Sequence, residues 1–216
     1  MALETFNNLV NWDNLYKNSE TFKKNKPIKY GFVEEFFVRD FYEKLYNTYP
    51  QLDETWMINN EPARSAASRF FNNSFYISDE HQKDDQTLSK EWNLVKRYFL
   101  SEEFTNNVKK YSRIPIKKIK YFSFILLRKG DFQLQHIDGD KTIQLNMLLY
   151  FSKNWQKGDP GGTYISSKED ESTIIFEPCN LDNSVVCFPP STPKSWHGTR
   201  YITKNVKRQA VALAWE

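Results

Sequence analysis

The chain has 216 residues and a mass of 25.7 kDa, with 30 Lys and Arg against 27 Asp and Glu, for a formal charge of +3 and a pI near 8.6. Acids and bases are interspersed, so no polyanionic partner is demanded, and the length suits one undivided domain with a full core. No apolar run approaches a membrane span, and Met1-Ala-Leu-Glu-Thr-Phe-Asn-Asn8 lacks the basic and continuous apolar regions of a secretory leader. A cytoplasmic protein with neither membrane nor nucleic-acid partner is expected. In chain order, Phe41, Leu45 and Tyr49 share one face and Pro50 closes the segment, which predicts a helix over 39–49. His81 lies in a charged run that reads as a solvated loop with no metal role. Trp92, Val95 and Leu100 on one side predict a second helix over 86–99. Ser101-Glu-Glu-Phe104 is a capped start for a third, with acids in its first turn and Lys109 and Lys110 in its last. The basic stretch 109–120 reads as a cationic helix end followed by a solvated edge.

From Tyr121 onward short apolar or alternating runs are broken by turn residues at 129–130, 139–140, 158–162, 180–183 and 189–190. That rhythm is the one of a double-sheet jelly roll whose mouth can hold a ligand. The expected architecture is mainly β with flanking helices. One domain spans 1–216, its helical front half of about 1–118 packed on a double-stranded β-helix (jelly roll) core of about 119–216. Cys179 and Cys187 flank the turn at 180–183 and could face each other across a hairpin. Nothing else marks a secreted chain, so a pair of buried thiols is expected.

The chemistry is carried by His136-Ile137-Asp138, then Trp196-His197-Gly198, then Arg208. In an extended segment residues i and i+2 point to the same side, about 6.6 Å apart at about 3.3 Å rise per residue, so one metal reaches both His136 and Asp138. Two imidazoles and a carboxylate form the facial set that holds Fe(II) with positions left open. The stretch 195–215 reads as two short strands joined by a turn at Lys204-Asn205. An antiparallel return would set Arg208 beside the strand of His197, deeper in the same cavity. An inward guanidinium in an apolar strand calls for an anion, and its planar fork suits a carboxylate.

Together with 147–155, Gly161-Gly162-Thr163-Tyr164, 185–188 and 208–213, these residues make the stretch 121–215 resemble the Fe(II)/2-oxoglutarate-dependent dioxygenases, within them the prolyl 4-hydroxylase-like group. The resemblance implies iron held by His136, Asp138 and His197. It implies 2-oxoglutarate oriented by Arg208 and the Tyr150 hydroxyl, with Leu148 lining its channel, O2 as oxidant and ascorbate as a reductant. The implied reaction hydroxylates an unactivated carbon of a small-molecule or peptide substrate, a prolyl residue, free proline or a related metabolite, as 2-oxoglutarate becomes succinate and carbon dioxide. Similar enzymes place substrate-covering elements where 59–73 lies, which makes Arg64 and Arg69 candidates for an anionic substrate group. Trp196 is a candidate substrate platform, and Trp155 is expected to pack. Two features depart from the group: Leu126 stands about ten residues before His136, where a tyrosine is frequent, and Ala210 and Ala212 are small, which predicts a roomier pocket. A nucleic-acid demethylase of the same superfamily is one alternative, but Arg208 is followed by Gln-Ala-Val-Ala-Leu-Ala, without the second arginine of that group. Asp138 argues against a halogenase. A non-catalytic jelly-roll binding protein is the alternative from a different class.

Overall fold

The computed structural model describes Phe6 and residues 9–216. Helices α1 (Trp12–Lys24), α2 (Arg39–Asn47), α3 (Lys90–Phe99) and α4 (Glu102–Ser112) precede most of the strands. The last three are the expected ones, with trimmed ends. Residues 86–88 stay outside α3, where Asp85 accepts the Thr87 amide (3.0 Å), and Ser89 caps the helix by accepting from the Trp92 amide (3.2 Å). Ser101 caps α4 in the same way through the Phe104 amide, at 3.2 Å. Helix α1 was not foreseen, because its buried Leu15 and Phe22 are isolated among Asn, Lys and Glu.

Eleven strands follow an antiparallel ladder: β1 (Gly31–Glu34), β2 (Met57–Glu61), β3 (Arg64–Phe70), β4 (Ile119–Leu127), β5 (Phe132–His136), β6 (Leu145–Phe151), β7 (Tyr164–Ser166), β8 (Ile174–Phe176), β9 (Asp182–Phe188), β10 (Trp196–Thr199) and β11 (Arg208–Trp215). Their order is β1-β9-β6-β11-β4-β3-β5-β10-β7-β8, with β2 on β3. The sheet curls at β3, which pairs with β5 at Arg64↔Gln133 and with β4 at Ala67↔Leu126. One wall is therefore β1-β9-β6-β11-β4 and the other β5-β10-β7-β8, a jelly roll as expected.

Two expectations need correction. The front half is not simply helical: it supplies β1, β2 and β3, and β3 sits in the middle of the ladder. Its Arg-Ser-Ala-Ala-Ser-Arg sequence lacks the β-branched residues that mark strands, yet Ala66 and Ala67 are buried because β4 and β5 flank it. Nor do β10 and β11 form a hairpin. Strand β10 pairs with β5 and β7, while β11 pairs with β4 and β6, in the opposite wall. The connection 200–207 crosses between walls, pinned by buried Ile202, whose amide donates to the Asp131 carbonyl and whose carbonyl accepts from Gly130, both at 2.9 Å.

The pleat sorts side chains into two cores. Phe122, Phe124 and Leu126 of β4, Met147, Leu149 and Phe151 of β6, and Val211, Leu213 and Trp215 of β11 pack against the helices. Tyr150, Ile165, Val186, Phe188 and Ala210 pack between the walls. Trp92 of α3 anchors the outer core, its ring centroid 4.8 Å from Phe124 and 5.2 Å from Phe151, with its indole nitrogen unpartnered. Trp92→Ala is expected to cost about 3–5 kcal/mol in urea unfolding, and Trp92→Phe far less because no hydrogen bond is lost. Equal losses in the two variants would contradict this packing account.

Cys179 and Cys187 are free thiols, as expected, but only Cys187, on β9, is buried; Cys179 is half-buried. Trp155 also packs as expected, its Nε1 donating to the Pro160 carbonyl at 2.9 Å. His81, expected in a solvated loop, is fully buried instead. Its Nδ1 accepts from the Ser78 amide at 3.1 Å, so the ring folds the charged run back onto the protein. Among the described residues no helix is long and apolar enough to cross a membrane.

Candidate metal centre

His136 ends β5 and His197 lies directly opposite it on β10, so the ladder itself juxtaposes the two rings, with centroids 4.2 Å apart. Asp138 lies two residues beyond the end of β5, its amide donating to the Pro190 carbonyl at 3.1 Å. Its Oδ1 lies 3.3 Å from His136 Nε2 and 3.5 Å from His197 Nε2. Among the described residues these three form the one group of His, Cys, Asp or Glu side chains able to share an ion, with donor atoms all within 4.8 Å of one another.

The surroundings fix which atoms face the centre. His136 Nδ1 is 3.0 Å from the Leu134 carbonyl and His197 Nδ1 is 2.8 Å from the Ser195 carbonyl. A carbonyl only accepts, so each Nδ1 carries a proton, and each Nε2 is the ring nitrogen turned toward Asp138. The carboxamide of Gln133 lies 3.1 Å from His136 Nε2. Asp138 Oδ2 accepts from Asn146 Nδ2 at 3.0 Å, which leaves Oδ1 for the centre. Burial works to raise the Asp138 pKa, but hydrogen bonds with His136 and His197 outweigh it and hold the carboxyl well below its ordinary range. A carboxylate beside two imidazole nitrogens is the donor set that a divalent first-row metal takes.

The centre opens into a cavity of about 200 Å³ between the walls, lined by Arg64, Ser68, Tyr121, Ser123, Leu148, Thr163 and Ala212 among others. Rows of cross-strand partners build its floor: Tyr121, Ala214, Asn146 and Phe188 nearest the metal ligands, then Ser123, Ala212 and Leu148, then Ile125, Ala210 and Tyr150. Arg208 starts β11 beyond the last row and is 1% exposed. Its Nε donates to the Gly161 carbonyl (2.9 Å), one Nη donates to Thr163 Oγ1 (3.2 Å), and the guanidinium lies 4.9 Å from the Tyr150 ring centroid. The Tyr150 hydroxyl accepts from the Thr163 amide at 2.9 Å. Burial works against the charge of Arg208, and the favourable groups around it are the Tyr150 and Tyr49 phenols rather than a carboxylate.

Of the residues singled out in the sequence, the structure brings His136, Asp138, His197, Leu148 and Arg64 to the cavity, with Tyr150 and Arg208 behind Thr163. It does not bring Arg69 or Trp196 there. Arg69 is one pleat out of phase with Arg64 and Ser68, buried on the helix side with Thr87 as its partner at 2.5 Å. Trp196 alternates with His197 and pairs across to Ser166. Leu126 likewise faces the helices, so it is not the cavity position at all. Tyr121, Ser123 and Ile125 of β4 are, and Tyr121, Asn146, Gln133 and Thr163 went unnoticed in the sequence. Counting in twos from Leu148 along β6 would have found Asn146.

Close approach of β5 and β10 depends on Gly198, next to His197. A Cβ there would lie 2.5 Å from the Tyr164 hydroxyl and 2.7 Å from the Gln133 carbonyl oxygen. Gly198→Ala is expected to push the two strands apart, lowering both the melting temperature and metal affinity. Unchanged metal affinity would show that the spacing is not set there.

No protein-family model matches the chain, and no curated protein matches it. Solved structures match in fold. A prolyl-4-hydroxylase from Pseudomonas putida matches with a TM-score of 0.63 at 12% identity, over 94% of this chain and 98% of that one. A prolyl hydroxylase from Trichoplax adhaerens, in complex with a hypoxia-inducible-factor oxygen degradation domain peptide, matches with a TM-score of 0.59 at 13% identity, over 94% and 88%. HygX from Streptomyces hygroscopicus, with nickel and 2-oxoglutarate bound, gives 0.58 at 12%, over 94% and 85%. At such identities the shared property is the fold, the jelly roll of the 2-oxoglutarate oxygenases.

Proposed function

We propose that this chain is an Fe(II)- and 2-oxoglutarate-dependent dioxygenase that hydroxylates an unactivated carbon of an amino-acid-like substrate, with a prolyl residue or free proline as first candidates. The observation that carries the reading is the convergence of His136 Nε2, Asp138 Oδ1 and His197 Nε2 at the mouth of a jelly roll. Buried Arg208, set behind Thr163 of the same cavity and without a carboxylate partner among the described residues, supports it. The fold likeness to prolyl hydroxylases, and to a structure holding nickel and 2-oxoglutarate, points the same way.

When bound, iron and 2-oxoglutarate supply the oxidising chemistry, O2 giving one oxygen atom to succinate and the other to the substrate C–H bond. His136, Asp138 and His197 would hold the metal, since all three lie at one end of the β5-β10 pair. Arg208 and the Tyr150 hydroxyl receive the distal carboxylate, Thr163 stands between them and the cavity, and Leu148 and Ala212 wall the channel. The low Ala212 wall leaves room beside the metal for the substrate. Free thiols at Cys179 and Cys187 suit a reducing cytoplasm, and residues 1–216 act as one domain.

The test is purified protein with Fe(II), 2-oxoglutarate and air, scored for substrate-stimulated succinate and for a gain of one oxygen on proline, prolyl peptides and a panel of amino acids. Oxygen transfer confined to methylated nucleobases, with formaldehyde released, would replace the proposal by demethylation. Absence of any 2-oxoglutarate turnover would leave a binding protein.

A further inference from the structure

We infer that Arg64 clamps a carboxylate of the substrate itself, so that the substrate is an amino acid that is free or at a carboxy terminus rather than an internal residue. This rests on the dioxygenase reading and adds the substrate's charge to it. Arg64 begins β3 opposite Gln133 of β5, whose carboxamide reaches His136, and lines the same cavity as Asp138 and Tyr121. Its Nε is buried without a partner, and one Nη makes a long contact to Ser68 Oγ at 3.4 Å. Glu61 and Asp138 favour its charge from a distance, without a salt bridge among the described residues.

A guanidinium held in a pocket without an anion is costly, and the neighbouring carboxylate is already committed. Asp138 gives Oδ1 to the centre and Oδ2 to Asn146. In the loaded site the charge of a divalent metal is offset by Asp138 and the chelating carboxylate of 2-oxoglutarate, and Arg208 is offset by the distal one. Arg64 has only the distant charges of Glu61 and Asp138 and no ion pair among the described residues. A monoanionic group beside the metal satisfies it, and its fork of donors fits a carboxylate. Met57, Phe70 and Phe75 around the same opening offer apolar surface for the rest of the molecule and no second cation. An internal prolyl residue places a neutral amide where Arg64 waits, whereas a free or carboxy-terminal amino acid places its α-carboxylate there.

The test uses protein loaded with Ni(II) and 2-oxoglutarate, titrated calorimetrically with each common amino acid, its amide, and an internal prolyl peptide capped at both ends. At least one acid is expected to bind about tenfold or more tighter than its amide. Arg64→Met should erase that preference while 2-oxoglutarate still binds, which reports a folded site. Arg64→Lys should restore part of it, and Glu61→Gln should leave it intact. Equal binding of acid and amide, preference for the capped peptide, no binding by any acid, or a loss of 2-oxoglutarate affinity in Arg64→Met would each overturn the inference. Wild-type protein that binds no 2-oxoglutarate would instead overturn the dioxygenase reading beneath it.

Discussion

Alanine in place of His136, Asp138 or His197 is expected to abolish 2-oxoglutarate turnover, with the metal lost or bound far more weakly in each variant. The three donors come from a strand end, the segment after it and the facing strand, so no other His, Cys, Asp or Glu among the described residues is placed to substitute. Removing an imidazole leaves a two-point site that water completes, and removing Asp138 also discards the negative charge that the two imidazoles surround. Asn146→Ala is a graded companion, because it frees Asp138 Oδ2 without touching a ligand. The loss expected there is about 10–100-fold in metal affinity. Metal titration followed by calorimetry, alongside succinate formation, separates the two kinds of variant. Full activity in any of the three alanine variants would remove the metal centre from the account.

The metal ligands were legible because strand geometry is local: two residues apart on an extended segment is enough to place His136 and Asp138 together. The jelly roll was legible for the same reason, since turn residues punctuate its strands from Tyr121 on. What escaped was non-local. Strand β3 is built from Arg, Ser and Ala, and its place between β4 and β5 follows from partners distant in sequence. The same omission hid the difference between Arg64, which faces the metal, and Arg69, which the pleat turns toward α3 and the Asp85 turn. Leu126 was assigned to the cavity by counting back from His136. The residues between the strands do not keep the pleat's phase, and Ile125 and Tyr121 hold the inward positions instead.

Arg208 shows how a right residue was reached through a wrong neighbour. A hairpin with β10 would have set it beside His197, yet the chain crosses to the other wall and the arginine arrives from the opposite side. The two walls converge on one cavity, so the guanidinium still lies next to it, behind Thr163. On the proposed function a ligand there would meet both walls, β5 and β10 at the end of His136 and His197 and β6 and β11 at the other.

Arg208→Ala is therefore expected to raise the 2-oxoglutarate requirement by about 10–100-fold, the loss of one charge-assisted and bidentate partner. The variant also leaves the Gly161 carbonyl and Thr163 Oγ1 without their donor, so a lower melting temperature is expected with it. Substrate choice among 2-oxo acids separates the two effects. Wild-type protein should strongly prefer 2-oxoglutarate over a 2-oxo acid of similar length that lacks the second carboxylate, and Arg208→Ala should lose that preference, which instability alone would not change. Tyr150→Phe should shift in the same direction by less, because its hydroxyl is neutral and already accepts from the Thr163 amide. Arg200→Ala serves as the control, since that guanidinium is held by Glu177, with Nε 2.9 Å from Oε2. A preference that survives in Arg208→Ala but disappears in Arg200→Ala would move the cosubstrate's carboxylate out of the β6-β11 floor and onto the β10 side of the cavity.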